Sequence, residues 1–415
     1  MLKKVLSLFI IVMILLTMGS CAEILRPKPT TEPDNVVDNR KNYLVVCWPI
    51  LEAQWLLTDA WEDFCKLRED GEKLELIILP AEALRDSLYE EDPEKINETA
   101  DVFLINNFEH MMKYNDFKGF FQNFEEFDLT KINSELADNA KAFGCFDNGT
   151  YGIPFVTSTN MWGMNKSFME TNQLELPRTH DEVRQITRDT KNYEIIDLSY
   201  ESFFSLIWRL GGEFFNEDGS KAAFNTPDTG IRAVEMIDES SEKGVGINGI
   251  FAMGDRGPKL DPNDVNGMMP QLKEGIPGYS VKSASNFCIR QTSVNKQLAF
   301  DFIEYFTTSE NPETGKTYQE ELCQKVFVED AIIPTLKVAQ ERIANDETNK
   351  KKVVLEQINI SKQIPYSPVL SEVIDILVLE MFSVTRGEKT PEVAMRYAEQ
   401  EINMAIGRYL RENKK

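Results

Sequence analysis

The stretch YGIPFVTSTNMWGMNKS, residues 151–167, decides the fold. It begins with a Gly-Pro turn and continues as a β-rich run in which four small polar residues follow one another. A strand that only builds a core does not usually carry such a run. Side chains alternate across a strand, so Ser158, Asn160 and Trp162 fall on one face, and Thr157, Thr159 and Met161 fall on the other. One face is therefore expected either to meet a ligand or to hold a hinge by hydrogen bonds.

The length and the net charge of the chain limit the number of domains and the class of partner. A chain of 415 residues predicts two domains rather than one core. Acidic residues outnumber basic ones 68 to 45, which gives a net charge of -23. Such a surface repels phosphate backbones and argues against nucleic acid as a partner. It suits a neutral or cationic ligand, although simple solubility would also account for it.

The N-terminus has the pattern of an export signal. Two lysines precede an apolar run, and Gly19 and Ser20 precede Cys21. The apolar run is short for a transmembrane helix. We predict a signal peptide over residues 1–20, a lipidated Cys21, and a polar, proline-containing tether over residues 21–41. A cleaved secretory signal with a coincidental cysteine is the alternative.

Apolar runs alternate with helical patterns after residue 42. The runs YLVVCW, KLELIIL and ADVFLINN predict parallel strands of a doubly wound α/β sheet. Ligands of such sheets bind at the carboxyl ends of the strands. Trp48, Asn106 and Asn107 stand at those ends and are candidate ligand contacts. Trp55 lies on the polar side of the following helix and is a further candidate, whereas Trp61 belongs to its apolar stripe.

Several motifs that could carry enzyme chemistry fail on context. The GVGING sequence at residues 244–249 follows a helix rather than a strand, so it does not predict a dinucleotide site. DPNDVNG, residues 261–267, lacks the spacing of a calcium loop. Only two histidines occur, and the five cysteines other than Cys21 form no CxxC. We therefore predict no cofactor, no metal and no catalytic residue, although the many carboxylates leave an acid/base pair possible.

Four segments in order resemble the family 1 extracellular solute-binding proteins of bacterial ABC importers, most of which bind sugars. The first is residues 151–183, with its YGIP turn, polar run, Asn-Lys and Pro-x-Thr-x-Asp-Glu helix start. The others are GGEFFNEDGSKAAFNTPDTGIRAVEMI, FCIRQTSVNKQLAFDFIEYFTTSEN and IIPTLKV. The resemblance implies the type II two-lobed periplasmic-binding-protein fold, with a doubly wound sheet in each lobe and the ligand in the cleft between them.

The resemblance also implies domain bounds and site residues. Lobe I is expected to comprise residues 42–155 and 286–333, and lobe II residues 156–285 and 334–412, with crossings near Thr157, Asn286 and Pro334. The family places ligand contacts where Ser158 and Asn160 stand, and Asn286 lies on another crossing. The lobe II tryptophans typical of the family are missing here. Tyr200 is the preferred substitute, although it and its neighbours Phe204 and Trp208 are also suited to a core.

The expected function follows from these features. The chain is expected to be a non-enzymatic, monomeric solute receptor, anchored by lipid on the extracytoplasmic face of a bacterial cell membrane. It would bind a sugar, an oligosaccharide or another small polar solute and deliver it to ABC permease subunits by hinge closure. Two alternatives stay open: a surface lipoprotein enzyme resembling a glycosidase, and a degenerate receptor that signals to a sensor kinase.

Overall fold

The computed structural model describes residues 43–68, 74–80, 100–105, 120–146, 149–191, 194–242, 250–252, 264–328 and 330–412. Cys21, Asn106 and Asn107 lie outside these ranges, as does the GVGING stretch. No helix within the described ranges is long and apolar enough to cross a membrane.

The larger sheet has six strands in the order β12-β6-β11-β3-β1-β2. Its members are β1 (Tyr43–Cys47), β2 (Glu75–Leu79), β3 (Val102–Ile105), β6 (Ile153–Thr159), β11 (Lys282–Ile289) and β12 (Ile332–Pro334). The first three strands are parallel to one another, as their near-continuous apolar sequences predict. β11 then runs antiparallel to both β3 and β6, and β12 runs antiparallel to β6.

Helices bury one face of this sheet. α1 (Gln54–Leu67), α2 (Thr130–Glu135), α7 (Lys296–Thr308) and α8 (Tyr318–Lys325) surround the lobe I core, and a two-stranded hairpin joins β4 (Cys145–Phe146) to β5 (Gly149–Thr150). Short 3₁₀ helices lie at Leu51–Ala53 and Phe124–Glu126. Trp61 packs at 5.0 Å, edge to face, on Phe302, so its predicted place in the apolar stripe is confirmed.

The smaller sheet has four strands in the order β10-β7-β9-β8. They are β7 (Trp162–Asn165), β8 (Glu194–Ile196), β9 (Ile250–Ala252) and β10 (Asp264–Gly267). The second lobe is mostly helical, with α3 (Lys166–Asn172), α4 (His180–Thr190), α5 (Tyr200–Arg209), α6 (Thr229–Glu242), α9 (Lys337–Asn345), α10 (Lys352–Ile360), α11 (Leu370–Thr385) and α12 (Pro391–Glu412). All ten residues of α5 are buried, so this helix lies within the core of the lobe.

The chain passes from the larger to the smaller sheet at residues 159–162, directly after β6. Strands β11 and β12 flank β6 on either side, so all three predicted crossings are neighbours in one sheet. Thr335 lies beyond β12, and its hydroxyl donates to the carbonyl oxygen of Pro154 at 3.0 Å. The predicted α/β class and two-lobed arrangement are confirmed, whereas the residue bounds of the lobes stay a prediction.

Candidate functional site

Three serines form an accessible polar face on the crossing strands. Ser158 lies opposite Ser283 in the β6–β11 register, and their Oγ atoms are 3.0 Å apart. Ser285 lies opposite Val156 two residues further along the same face of β11. All three serines are only partly buried. We call Ser158, Ser283 and Ser285 the serine face; hydroxyls of this kind can both donate and accept hydrogen bonds.

The opposite face of β6 is closed. The Thr157 hydroxyl donates to the carbonyl oxygen of Ser283 at 2.9 Å, and the Thr159 hydroxyl donates to that of Val281 at 2.9 Å. The Thr159 hydroxyl also lies 3.0 Å from the hydroxyl of Ser361, which is the residue that follows α10. Both threonines are buried. Sequence analysis left two roles open for the polar run, ligand contact and hydrogen bonding within a hinge. The threonines connect the crossing strands by hydrogen bonds, whereas Ser158, on the other face, is accessible.

Asn286 follows Ser285 on β11 and lies on the opposite face of the sheet from the three serines, on the side of Ile105. A β-bulge between Ser285 and Asn286 shifts the register, so that Asn286 pairs with Pro154 on β6 and with Ile105 on β3. The side chain is only 1% exposed. Its Nδ2 donates to the carbonyl oxygen of Ala284 at 2.9 Å, whereas its Oδ1 has no hydrogen-bond partner. A buried carbonyl oxygen without a donor is costly, which makes Oδ1 a candidate acceptor for a ligand hydroxyl.

Strand β6 ends earlier than its sequence pattern predicts. β6 stops at Thr159, and Asn160 lies in the two-residue break before β7 begins at Trp162. The backbone N–H of Asn160 donates to the carbonyl oxygen of Val281 at 3.4 Å. Trp162 is fully buried in the core of the second lobe. The expected alternation from Ser158 to Trp162 is therefore wrong beyond Thr159, because the chain changes sheet there.

The prediction that the ring of Trp48 leaves the sheet toward a cleft is wrong. Trp48 is 0% exposed, and its Nε1 donates to the carbonyl oxygen of Ile50 at 2.7 Å. Its ring centroid lies 6.3 Å from Phe287, 6.4 Å from Phe155 and 6.0 Å from Phe306. The chain turns back at Pro49, and helix α7 covers this face of the sheet, so the ring completes an aromatic core.

The other two aromatic candidates are also engaged. Trp55 is partly buried, and Nζ of Lys325 lies 4.4 Å from its ring centroid, which is a cation–π contact with helix α8. Tyr200 begins α5 and is 6% exposed within the apolar core of the second lobe. Neither residue is brought beside the serine face by any described contact. Their roles in ligand binding stay predictions.

A second polar group lies where β11 begins. Lys362 pairs with Val281 in an isolated bridge, and its Nζ lies 4.6 Å from the ring centroid of Tyr279. The same ammonium forms a 2.8 Å ion pair with Glu213. Tyr279 and Lys362 are partly exposed. Sequence reasoning missed this pair, as it missed Ser283, although serines at every second position of KSAS were a usable signal.

The charges near the serine face are few. Lys282 lies opposite Thr159 in the β6–β11 register. Its Nζ donates to the carbonyl oxygen of Asn139 at 3.3 Å, and burial lowers its pKa. The hydrogen bonds described for Ser158, Ser283 and Asn286 involve no carboxylate. Within the described ranges no group of three or more His, Cys, Asp or Glu side chains could hold a metal ion. The serine face is therefore suited to a neutral, hydroxyl-rich ligand.

Comparison with known proteins supports the architecture. No family model matches this sequence, and no curated protein matches it significantly. Solved structures do resemble it. The maltose-binding periplasmic protein MalE from Listeria monocytogenes, in complex with maltose, is 15% identical, with a TM-score of 0.69 over 88% of this chain and 98% of that chain.

Two further solved structures have a similar TM-score and a similarly low sequence identity. An ABC substrate-binding protein from Listeria monocytogenes, in complex with cycloalternan, has a TM-score of 0.68 at 16% identity, over 88% of this chain and 99% of that one. An ABC transporter solute-binding protein from Thermotoga lettingae, bound with α-D-tagatose, has a TM-score of 0.67 at 18% identity, over 88% of this chain and 100% of that one. At such identities the shared feature is the two-lobed fold.

Proposed function

We propose that this chain is a family 1 solute-binding protein that captures a neutral sugar or oligosaccharide and delivers it to an ABC permease. The observation that carries the proposal is the accessible serine face on the crossing strands of a two-lobed fold; the unpaired Oδ1 of Asn286, on the other face of β11, is a second candidate contact. A sugar offers many hydroxyls that both donate and accept, and a neutral polar surface matches them. The similar structures that bind maltose, cycloalternan and tagatose support this choice of ligand class.

Binding is proposed to close a hinge. β6, β11 and β12 run side by side, and only residues 160 and 161 separate β6 from the first strand of the second lobe. A ligand held by the serine face on one side and by lobe II groups such as Tyr279 on the other would stabilise the closed population. Small-angle scattering with a bound ligand should show a smaller radius of gyration. An unchanged radius at saturation would contradict hinge closure.

A thermal-shift screen tests the ligand class. The purified protein is mixed with monosaccharides, malto-oligosaccharides and cyclic glucans, and with amino acids and dipeptides as other polar solutes. A ligand that binds only the folded state raises the melting temperature by mass action. We expect at least one neutral sugar to raise it in a concentration-dependent way. If only amino acids or peptides do so, the sugar assignment is wrong.

The absence of catalysis is a separate part of the proposal. A glycosidase would need two carboxylates at a fixed separation across the ligand. The hydrogen bonds described around the serine face come from hydroxyl, amide and carbonyl groups instead. Incubation of the best-binding oligosaccharide with the protein, followed by chromatography of the products, should return the sugar intact. Turnover would support a carbohydrate-active enzyme instead.

Lipidation of Cys21 would place the receptor at the extracytoplasmic membrane surface. The support is the sequence alone: an apolar run followed by Gly19, Ser20 and Cys21. The polar residues 22–41 would then form a tether to the folded part. Mass spectrometry of the protein taken from its native membrane should show acyl chains on Cys21, and Cys21→Ser should release it. A mature N-terminus at another residue would refute the anchor.

A further inference from the structure

A cavity of about 500 Å³ lies in the second lobe, apart from the crossing strands. It is enclosed by α4 on one side, by α6 on the other and by β8, the edge strand of the smaller sheet, at its base. Its size falls within the range of small-molecule pockets. The side chains that line it include His180, Arg184, Arg188, Lys191, Glu194 and Glu239.

The composition of α4 accounts for the opening. A helix that packs on a sheet presents an apolar stripe at spacings of three and four residues. The apolar stripe of α4 continues from Val183 to Ile186, which packs on the core, whereas Arg184, Thr187 and Arg188 line the cavity, as does Lys191 directly after the helix. These side chains cannot be buried against β8 without losing their hydration, so the C-terminal half of α4 leaves a gap above the edge strand.

Three cations stand at the rim. Arg184, Arg188 and Lys191 are exposed, in a chain whose net charge is -23. Nη1 of Arg184 lies 3.9 Å from Oδ1 of Asp181. No ion pair joins Arg188 or Lys191 to any residue that the structure describes. Two guanidinium groups and an ammonium lie on one wall, and the Glu239 carboxylate of α6 lies on the other. Guanidinium forks match the geometry of phosphate oxygens.

The base of the cavity is polar. Nδ1 of His180 lies 3.4 Å from Oε2 of Glu194, but neither this nitrogen nor Oε1 of Glu194 makes a hydrogen bond. His180 is 9% exposed, so a polar group aimed at the cavity is largely withdrawn from water. On α6, the Ser240 hydroxyl accepts from the backbone N–H of Ile196 at 2.6 Å. The same hydroxyl donates to the carbonyl oxygen of Glu194 at 3.2 Å, so the base offers imidazole and carboxyl groups where an ordinary core would be apolar.

From this arrangement we propose that the cavity is a second ligand site, which binds a phosphate monoester of a small polyol such as a sugar phosphate. The phosphate contacts Arg184, Arg188 and Lys191 at the rim. The hydroxyls of the polyol face His180 and Glu194 at the base. The doubly charged phosphate complements three cations better than a single carboxylate does. The site is independent of the serine face, because no residue is shared between them.

Another reading of the rim rests on helix stability alone. Arg188 lies in the last turn of α4, Lys191 follows that turn, and cations there interact favourably with the helix dipole. That reading predicts a change in melting temperature when the cations are removed, and no ligand binding. It does not account for a cavity between α4 and α6 or for the unpaired Nδ1 at its base. A binding measurement separates the two readings.

The test is isothermal titration calorimetry of the full chain with glucose 6-phosphate at low salt. Inorganic phosphate and glucose are titrated separately. We expect one glucose 6-phosphate per chain, bound more tightly than inorganic phosphate and more weakly as NaCl is added. The double variant Arg184→Gln/Arg188→Gln should weaken binding by about tenfold or more, as expected for the loss of charge-assisted hydrogen bonds.

Arg232→Gln is the matched control, because Arg232 is an exposed arginine on α6 that does not line the cavity. It should bind glucose 6-phosphate like the wild type. The proposal is overturned if the wild type binds no glucose 6-phosphate, or if the double variant and the control lose affinity equally. It is also overturned if inorganic phosphate binds as tightly as the sugar phosphate, because the polar base would then play no part. Failure of the serine face to bind neutral sugars would leave this result unaffected.

Discussion

The hydroxyls of Ser158 and Ser283 lie 3.0 Å apart on the antiparallel strands β6 and β11. One of the two can donate to the other, so the pair still has one hydroxyl hydrogen and several lone pairs for a ligand. Both serines are partly exposed, whereas the flanking Thr157 and Thr159 are buried and bonded to backbone carbonyls. The accessible chemistry of the crossing strands therefore lies on one face only.

Ser158→Ala should weaken sugar binding with little loss of stability. The substitution removes one hydroxyl from the accessible face and leaves Ser283 free to interact with solvent. We expect affinity to fall by about 1 kcal/mol, the usual net value of a hydrogen bond. Calorimetry with the best ligand from the thermal-shift screen measures it.

Thr157→Val is the matched control, one residue away on the closed face. It removes a buried hydroxyl that donates to the carbonyl oxygen of Ser283 at 2.9 Å. We expect denaturant unfolding to show a loss of about 1–3 kcal/mol in stability, with affinity unchanged. If Ser158→Ala and Thr157→Val both destabilise and neither alters affinity, the serine face is only a structural element.

Trp48→Ala should destabilise lobe I by about 3–5 kcal/mol, because it opens a cavity among Phe155, Phe287 and Phe306. Trp61→Ala is the comparison, since Trp61 packs in the same core. Denaturant titration should show losses of similar size for both variants. Ligand affinity of the folded fraction should be unchanged in each. A stable Trp48→Ala protein with weakened binding would restore the cleft role first inferred for this residue.

Much of the fold could be predicted from local sequence. The apolar runs of β1 and β3 predicted parallel strands, and Thr179 with Glu182 predicted the start of α4, where both hydrogen bonds of a capping box occur. These features depend on a few adjacent residues. The fate of Trp48 could not be predicted this way, because it depends on α7, which is more than 200 residues away in sequence.

The site was only partly within reach of sequence reasoning. Ser158 was identified from the family resemblance, and strand alternation, which holds around it in β6, gave its face. Its partner Ser283 comes from a distant strand, and a bulge that leaves Phe155 as the extra residue interrupts the alternation of β6. Pairing register and bulges are set by tertiary contacts, so a single sequence does not reveal which residues share a face.

Gln319→Leu should destabilise the third crossing. Oε1 of Gln319 accepts from the backbone N–H of Thr335 at 2.7 Å and from its hydroxyl at 3.1 Å, and Nε2 donates to the carbonyl oxygen of Thr307 at 3.1 Å. Leucine would leave these buried groups without partners, at a cost of about 2–4 kcal/mol in unfolding free energy. Gln297→Leu, on the exposed side of α7, should change stability by less than about 0.5 kcal/mol. Equal effects would contradict the bridging role.

The stability of the second lobe should depend on His180 at acid pH. Burial, with Arg184 and Arg209 nearby, lowers the pKa of His180 from 6.5 to about 4, although Asp181 acts in the opposite direction. Between these values the unfolded chain binds a proton that the folded chain does not, so stability falls as pH falls. Relative to His180→Gln, the wild type should lose up to about 3 kcal/mol as pH drops from about 6.5 to 4.

The comparison of two proteins isolates His180 from its neighbour. Burial raises the pKa of Glu194, which favours the folded state as pH falls, but Glu194 is present in both proteins. Denaturant unfolding at several pH values gives the difference in free energy directly. A difference that stays constant from pH 7 to pH 4 would mean that His180 titrates normally in the folded protein.

Asn286→Leu should separate ligand binding from stability most sharply. The side chain makes one described hydrogen bond, from Nδ2 to the carbonyl oxygen of Ala284, while Oδ1 is buried without a partner. Losing the bond costs about 1 kcal/mol, and removing an unpaired buried oxygen regains about as much, so stability should be nearly unchanged. If the ligand reaches the face of β11 opposite the serines, affinity for the sugar should fall by about 1–3 kcal/mol, because Oδ1 then accepts no ligand hydroxyl. Asn295→Leu is the control: its Nδ2 donates to the carbonyl oxygen of Tyr43 at 3.0 Å, so this variant should lose stability and keep its affinity. If Asn286→Leu binds sugar as tightly as the wild type, Oδ1 does not face the ligand, and the site must lie elsewhere on the crossing strands.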